Sequence, residues 1–136
     1  WLLNAEGNKI TCLDLFERES GRHSQGTELS ARDFGPYFSA LATQRTIAAH
    51  DAQTDPRTSC FTATYLKPLG ITSMLDVPVW VNGKMAGVVC HEHLGPARTW
   101  DADEERFAYL MAGFLSLAME RAGRKADSMS RLPAVK

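Results

Sequence analysis

The stretch of residues 73–93 constrains the fold more than any other part of the sequence. It reads SMLDVPVWVNGKMAGVVCHEH, with an apolar arm on each side of Asn82-Gly83. Asn-Gly between β-rich arms is the strongest short hairpin signal, because both residues accept the positive φ that a type I′ turn demands. Both faces of the second arm are mostly apolar. We therefore expect it to be a central strand that is covered on both sides.

This hairpin is not stable on its own. Burial of one large apolar side chain contributes about 1.5–3 kcal/mol, whereas ordering one residue of backbone costs about 1–2 kcal/mol. Six side chains of the hairpin would each contribute that much if fully buried, which does not offset the cost of ordering about 20 residues: Val77, Val79, Val81, Met85, Val88 and Val89. The rest of the chain must therefore supply layers above and below the hairpin.

Composition limits the classes of function. The 136 residues suit one domain with a proper core. A net charge of −1 gives no bulk attraction to nucleic acid or to an anionic membrane, and no apolar stretch is long enough to span a bilayer. Three scattered cysteines, Cys12, Cys60 and Cys90, indicate neither a disulfide framework nor a cysteine zinc site. We expect reduced thiols and a cytoplasmic location.

Turn residues and apolar periodicity divide the remainder of the chain. Gly, Pro and Asn clusters mark loops, Ser30 and Asp101 are placed as helix caps, and apolar residues at helical spacing mark covering helices. These patterns predict strands over 1–4, 9–17 and 46–50, a mobile loop over 18–28, and helices over 30–43, 58–67 and 101–123. The sum is an α+β fold, a central antiparallel sheet of five to six strands with helices on both faces.

Several runs of residues carry a family resemblance. The run from Gly70 to Val79, the hairpin turn, the run from Gly87 to His93 and the segment from Gly95 to Trp100 before Phe107-Ala108 together resemble the GAF domain. The sequence is similar to GAF domains of bacterial sensor histidine kinases and cyclic-di-GMP signalling proteins. The resemblance covers nearly the whole chain. Because the chain opens abruptly on Trp1, we expect it to be a piece of a longer protein whose first helix precedes it.

The resemblance implies a fold and a function. The implied fold is a six-stranded sheet with terminal helices, which often dimerise, on one face and a ligand pocket, closed by the middle helix, on the other. The implied sensory domain covers 1–125, with 126–136 as a linker or frayed tail. The implied function is small-molecule sensing in a two-component sensor histidine kinase, by a homodimer that is not itself an enzyme. The alternative is a ligand-free dimerisation or spacer module.

The sequence does not name the ligand. The resemblance to bilin-binding members would require a Cys followed directly by His on the middle helix, but Cys60 is followed by Phe61. The phosphodiesterase-type motif for cyclic nucleotides is not assembled either. One branch of the family reduces free methionine sulfoxide with pocket cysteines, but the three cysteines here do not match its positions. The cofactor is therefore left unknown, with bilin and cyclic nucleotide both disfavoured.

Polar residues at strand ends and on the middle helix are the candidate ligand contacts, because a few convergent polar groups fix a ligand in an apolar pocket. They are His50, Asp51, Arg57, Tyr65, Asp76, His91 and His93. Two histidines that alternate onto one strand face are a usable pair of metal ligands. Without a firm third ligand we interpret them as structural, and we predict no metal site.

Two further features near the C-terminus are interpreted as structural. Arg98 is placed to pair with Glu104 or Glu105, with Trp100 sealing the sheet edge against the last helix. The apolar stripe of that helix covers the sheet, and its opposite edge is the candidate dimer contact.

Overall fold

The computed structural model describes the backbone of residues 1–130 and the side chains of residues 1–126. Its centre is a six-stranded antiparallel sheet with strand order β5-β2-β1-β8-β7-β6, and a separate two-stranded hairpin, β3-β4, lies between β2 and β5 in the chain. This confirms the predicted α+β fold with helices on both faces of the sheet. The elements are β1 (Leu2–Leu3), β2 (Lys9–Thr11), β3 (Leu15–Glu17), β4 (Arg22–Ser24), β5 (Glu28–Ser30), α1 (Gly35–Thr43), β6 (Ile47–Ala49), α2 (Lys67–Leu69), β7 (Ile71–Val81), β8 (Lys84–Leu94) and α3 (Ala102–Ser130).

The β7–β8 hairpin forms the middle of the sheet, as predicted. Asn82 has φ 50° and Gly83 has φ 75°, which are the positive values of a type I′ turn. In β7 the residues from Ser73 to Val79 are buried, so the first arm is covered on both faces, whereas most of β8, for which that cover was expected, is half-buried.

A β-bulge next to the turn sets which side chains share a face. Trp80 pairs with Met85, but Val79 pairs with Gly87, so Ala86 is an extra residue in β8. Beyond the bulge, Asp76 opposes Cys90. An unbulged two-residue hairpin would instead have paired Asp76 with Val89. A shift of one residue moves the side chains of one strand to the other face of the sheet relative to its partner.

Gly87 allows β1 to join the sheet. A Cβ atom at this position would lie 2.1 Å from the carbonyl oxygen of Trp1. Leu2 pairs with Gly87, and the Val88 N–H donates to that same carbonyl at 3.0 Å. Only glycine permits so close an approach of two backbones.

The two faces of the sheet carry separate apolar clusters. On one face, α1 and the 59–69 segment cover the sheet through Tyr37, Leu41, Phe61, Leu66 and Met74. On the other face, α3 packs against β7 through the second cluster: Leu75, Val77, Val79, Ala108 and Ala112. We call these the pocket face and the α3 face.

The N-terminal third contains more strand than the sequence predicted. The strand expected over 9–17 ends at Thr11, and the loop expected over 18–28 contains β4 and the start of β5. The predictions were wrong here because the strands have only three residues, too few to show a period, and because all three side chains of β4 are polar and exposed.

Three predicted helix boundaries also differ. Ser30 ends β5 and makes no side-chain cap, and α1 begins at Gly35, with Pro36 in its first turn as expected. The middle helix covers 59–69 as a 3₁₀ turn, a π turn and an α turn. The last helix continues past the predicted end at residue 123 to Ser130. Residues 131–136, part of the predicted tail, lie outside the described residues.

Candidate functional site

A small cavity lies on the pocket face, between the sheet, α1 and the 59–69 segment. Its volume is about 10 Å³, which is the space of roughly one water molecule. Most of its walls are apolar or aromatic, and its polar groups converge from α1, from β8 and from the 59–69 segment. Its lining residues are Trp1, Ile10, Leu29, Tyr37, Phe61, Tyr65, Met74, Cys90 and Glu92.

A buried carboxyl group lies behind one wall of this cavity. Asp76 is fully buried, and its Oδ2 accepts a 2.5 Å hydrogen bond from the Tyr37 hydroxyl. The Tyr37 oxygen lies 3.7 Å from the Cys90 sulfur. The other carboxyl oxygen, Oδ1, has no hydrogen-bond partner among the described residues. A buried polar atom without a partner is costly, so a structure retains one only where something else compensates.

A second carboxyl group lines the cavity directly. Glu92 accepts a 2.9 Å hydrogen bond at Oε1 from the Tyr65 hydroxyl. Tyr65 belongs to the π turn Thr62–Leu66, and π turns inside helices are frequent at functional sites. This hydrogen bond joins the covering segment to the central strand β8.

Burial controls the protonation of these groups. Loss of solvent raises the pKa of Asp76 to about 7, the Tyr37 hydrogen bond lowers it in part, and the charge of Glu92 raises it further. Burial also raises the pKa of Glu92, an effect that the Tyr65 hydrogen bond opposes. The Cys90 pKa lies well above its ordinary value, because of burial and then the charge of Asp76. A thiol that holds its proton at neutral pH is a poor nucleophile.

The covering segment is held to the loop before it and to the following strand. The Thr62 hydroxyl donates to the Gln53 carbonyl at 3.0 Å, and the Thr58 hydroxyl donates to the Ala52 carbonyl at 2.8 Å. Gly70, with φ 70°, ends the last turn in the left-handed conformation that glycine favours. Gly70 therefore fixes where the segment stops and β7 begins, whereas Pro68, which was also expected to end the helix, lies inside its last turn.

Comparison with known proteins shows the family of this chain. The sequence matches the GAF domain family model over residues 3–119. The chain belongs to the GAF domain family. No curated protein sequence matches it. The chain is similar in fold to the GAF domain of a two-component sensor histidine kinase from Bacillus halodurans, with 22% identity, a TM-score of 0.60, and coverage of 88% of this chain and 85% of that one.

Two other solved structures, a photoreceptor domain and an enzyme, show the same fold. The blue-light absorbing PixJ GAF domain of Thermosynechococcus elongatus has 18% identity and a TM-score of 0.63, with coverage of 94% and 86%. A free methionine-R-sulfoxide reductase from Neisseria meningitidis, in complex with its substrate, has 18% identity and a TM-score of 0.60, with coverage of 92% and 66%. At these identities the likeness shows the fold alone.

The GAF sheet separates the residues that the sequence predicted to form one site. Tyr65 and Asp76 lie on the pocket face. The three histidines lie on the α3 side: His91 Nδ1 is 2.9 Å from the Leu75 carbonyl, and His50 Nδ1 accepts from the Trp100 N–H at 3.1 Å. His93 pairs with Ser73 and shares the face of His91. The structure therefore does not bring the seven residues together.

The other two predicted residues lie at the β6 edge of the sheet. Arg57 donates to the Ala48 carbonyl and to Gln44, each at 2.9 Å, and it forms a 2.6 Å ion pair with Asp55. This guanidinium satisfies a carbonyl on an edge strand, which is a structural role. Asp51 accepts from the Gln53 N–H at 3.1 Å and closes a turn.

A wider groove of about 430 Å³ lies on the α3 face near the start of α3. His91, Trp100 and Phe107 are among the residues that line it. Arg98 lies 4.5 Å above the Trp100 ring and is bonded to Glu104, as the predicted clasp requires. The groove lies on the other face of the sheet from the buried carboxyl groups.

Sequence reasoning missed three residues of the cavity: Tyr37, Cys90 and Glu92. A signal existed for Glu92, because it is the one charged residue on a strand face that otherwise carries Ala86, Val88 and Cys90. Tyr37 offered no such signal, since its contact with Asp76 spans 39 positions of sequence. Among the side chains of residues 1–126, no group of three or more His, Cys, Asp or Glu is arranged to hold a metal ion.

Proposed function

We propose that this GAF domain is the small-molecule-sensing regulatory domain of a bacterial signal-transduction protein, a two-component sensor histidine kinase. One observation carries the proposal: the half-buried carboxyl group of Glu92 lines a cavity beneath a covering segment that contains a π turn, and the fully buried carboxyl group of Asp76 lies behind the wall of that cavity. Buried charge of this kind destabilises a domain unless a partner compensates for it. A ligand is the partner that a sensory pocket receives.

Strand β7 provides the route from the pocket to the output helix. Asp76 faces the pocket, while its neighbours Leu75 and Val77 belong to the cluster that packs against Ala108 and Ala112 of α3. A change in β7 that accommodates a ligand therefore changes the surface on which α3 rests. In this mechanism the ligand prefers one arrangement of the pocket and shifts the population of α3 positions.

The free side of α3 supports a homodimer as the signalling unit. Four large apolar residues at helical spacing are more than half exposed there: Phe107, Leu110, Phe114 and Leu117. An apolar stripe of this size on a soluble domain is typical of a protein contact. The self-complementary occupant is α3 of a second copy, arranged about a twofold axis. The similar fold of a histidine kinase GAF domain supports the same parent class.

Within this proposal the domain is not itself an enzyme and contacts neither nucleic acid nor membrane. The raised pKa of the Cys90 thiol supports the first statement, and the net charge of −1 supports the second. No helix within residues 1–130 has the length and apolarity needed to cross a bilayer. The proposed location is the cytoplasm, which the three scattered cysteines support.

A ligand-free dimerisation or spacer module is the second candidate. The observation that favours it is the cavity volume of about 10 Å³, well below the roughly 300–1,000 Å³ of ordinary ligand pockets. A sensor of this sequence must therefore open the 59–69 segment to admit anything larger than a water-sized group.

Native mass spectrometry of the parent protein purified from its own host separates the two candidates. The sensory proposal predicts a co-purifying small-molecule mass that disappears when Asp76 and Glu92 are replaced by Asn and Gln. A dimer without added mass, both in the wild type and after incubation with a host metabolite extract, would support the spacer instead.

A further inference from the structure

We infer that the cavity on the pocket face receives the ammonium head of a small primary amine. The inference rests on the proposed sensory function and adds the chemical class of its ligand. The contacts in the cavity wall determine which of its polar groups donate hydrogen bonds and which accept them.

The polar side chains around the cavity present mainly acceptors. The Tyr37 hydroxyl proton is directed to Asp76 Oδ2, at 2.5 Å, and the Tyr65 proton is directed to Glu92 Oε1, at 2.9 Å. A phenol has only one proton to donate, so both phenol oxygens keep acceptor capacity, although the Tyr37 oxygen also accepts from the protonated Cys90 thiol at 3.7 Å. Among the lining side chains, the Trp1 indole is the one that has an N–H donor, and this group carries no charge.

The side chains around the cavity supply negative charge and no positive charge; the cationic group of a lining residue is the Trp1 amino group, which donates to the Val88 carbonyl at 3.0 Å. None of the nine lining side chains is Lys, Arg or His. Glu92 lines the cavity, and Asp76 lies one hydrogen bond behind it, with Oδ1 unpartnered among the described residues. Each carboxyl raises the cost of charging the other, as the effect of Glu92 on the Asp76 pKa shows. A single positive charge between them lowers both costs.

Size selects among cations. The cavity of about 10 Å³ accepts a water-sized group without movement of the fold. An ammonium head is compact and has three N–H donors, whereas a guanidinium is a wide planar fork. The three available acceptors, the Glu92 carboxylate and the two phenol oxygens, match the ammonium head. The rest of the amine must pass beneath the 59–69 segment, where Phe61 and Met74 offer apolar contact.

Methylammonium is the probe, and methanol, which has nearly the same size and no charge, is its control. The readout is the NMR shift of the Met74 methyl group, which lines the cavity, during titration at pH 8 and constant ionic strength. The methyl group of Met119, which packs on the α3 face, is the internal reference. We expect the Met74 shift to saturate with methylammonium. With methanol the Met74 shift should be smaller and should not saturate. The Met119 methyl group should show no saturable shift as large as that of Met74.

Two variants and one matched control test the residues. Glu92→Gln should weaken methylammonium binding by about tenfold, the loss expected when a charge-assisted hydrogen bond is removed. Asp76→Asn removes only the more distant negative charge and should weaken binding by a smaller factor, about threefold. Glu28→Gln, the same change at an exposed residue on β5, should leave it unchanged. Asp76→Asn keeps an acceptor for Tyr37 and remains informative if Glu92→Gln does not fold.

Equal responses to methylammonium and methanol, or unchanged affinity in folded Asp76→Asn or Glu92→Gln, would overturn the inference. Those results would not remove the sensory proposal, which would still stand on a co-purifying neutral or anionic molecule. Absence of any co-purifying or added ligand would instead remove the sensory proposal.

Discussion

Strand β7 contributes side chains to both faces of the central sheet, but it contributes apolar residues to one face and a carboxyl group to the other. On the α3 face, β7 contributes Leu75, Val77 and Val79 to an apolar cluster with small alanines of α3. On the pocket face, the same strand contributes Asp76, fully buried and only partly hydrogen-bonded. Natural sequences break the rules of stable packing mainly at functional sites. The difference indicates that the α3 face supplies stability and that the pocket face gives up part of it for binding.

The largest expected effect comes from truncation on the α3 face. Leu75→Ala removes a side chain that is 2% exposed, and it should lower the free energy of unfolding by about 2–5 kcal/mol. Urea denaturation at pH 8 measures this loss. A loss below about 1 kcal/mol would contradict the conclusion that the α3 face supplies stability.

On the pocket face, Asp76→Asn should raise the free energy of unfolding at pH 8, whereas Leu75→Ala lowers it. Burial raises the Asp76 pKa from 3.8 to about 7, so between those values the folded state binds more protons than the unfolded state. Stability therefore falls as pH rises through this window. At 1.36 kcal/mol per pKa unit the cost of the charge at pH 8 is at most about 4 kcal/mol.

Asp76→Asn should therefore stabilise the domain at pH 8 and have little effect below pH 4. The gap in free energy of unfolding between the variant and the wild type should widen as the pH rises between these values. Urea denaturation across this pH range measures the gap. A variant that is less stable than the wild type at pH 8 would show that the charge is compensated within the fold. Asp103→Asn, an exposed carboxylate on α3, is the matched control and should show no such pH dependence.

A smaller, local effect is expected from Tyr65→Phe. The change removes the hydrogen bond from the covering segment to Glu92 and should cost about 1 kcal/mol. Hydrogen exchange should show about fivefold faster amide exchange confined to the 59–69 segment. Tyr109→Phe, on an exposed ring of α3 beneath Arg45, is the control. Equal acceleration over the whole sheet would contradict a local latch.

The smallest effect on stability, with a clear effect on association, is expected from Phe114→Glu. The side chain is 63% exposed in the single chain, so unfolding should change by no more than about 0.5 kcal/mol. Sedimentation velocity should show that the dimer is lost. Leu13→Glu, the same kind of change at a 60% exposed residue away from α3, should leave the dimer intact. A dimer that survives Phe114→Glu would place the contact elsewhere.

The parts of the fold that local sequence determines were predicted well. The hairpin turn and the stop of the 59–69 segment at Gly70 follow from Asn-Gly and Pro-Gly, which need no knowledge of distant residues. The prediction that the apolar stripe of α3 covers the sheet was wrong, because its large residues are exposed and Ala108 and Ala112 face the sheet instead. The short strands β4 and β5 and the break between β2 and β3 were missed because pairing between backbones, and not side-chain alternation, defines them.

The candidate site was predicted less well, for a geometric reason. A regular two-residue hairpin would place Asp76 on the same face as His91 and His93. The bulge at Ala86 reverses this relation and pairs Asp76 with Cys90. No local feature of the sequence predicts that bulge. Gly87 does not indicate it, because a glycine there is already required by the close approach of the Trp1 carbonyl. Tyr65 and Asp76 were found from their positions, but their partners Glu92 and Tyr37 depend on tertiary contacts.

The most direct test of the account measures whether the charge of Asp76 on the pocket face reaches α3. Hydrogen exchange of α3 amides between pH 6 and pH 8, corrected for intrinsic rates, uses deprotonation of Asp76 as the perturbation. Tyr37, Cys90 and Glu92 face the same group, so Asp76→Asn is measured in parallel. The account predicts a change in protection around Ala108 and Ala112 with a midpoint near pH 7 that disappears in the variant. Changes confined to the pocket face, or retained in Asp76→Asn, would contradict it.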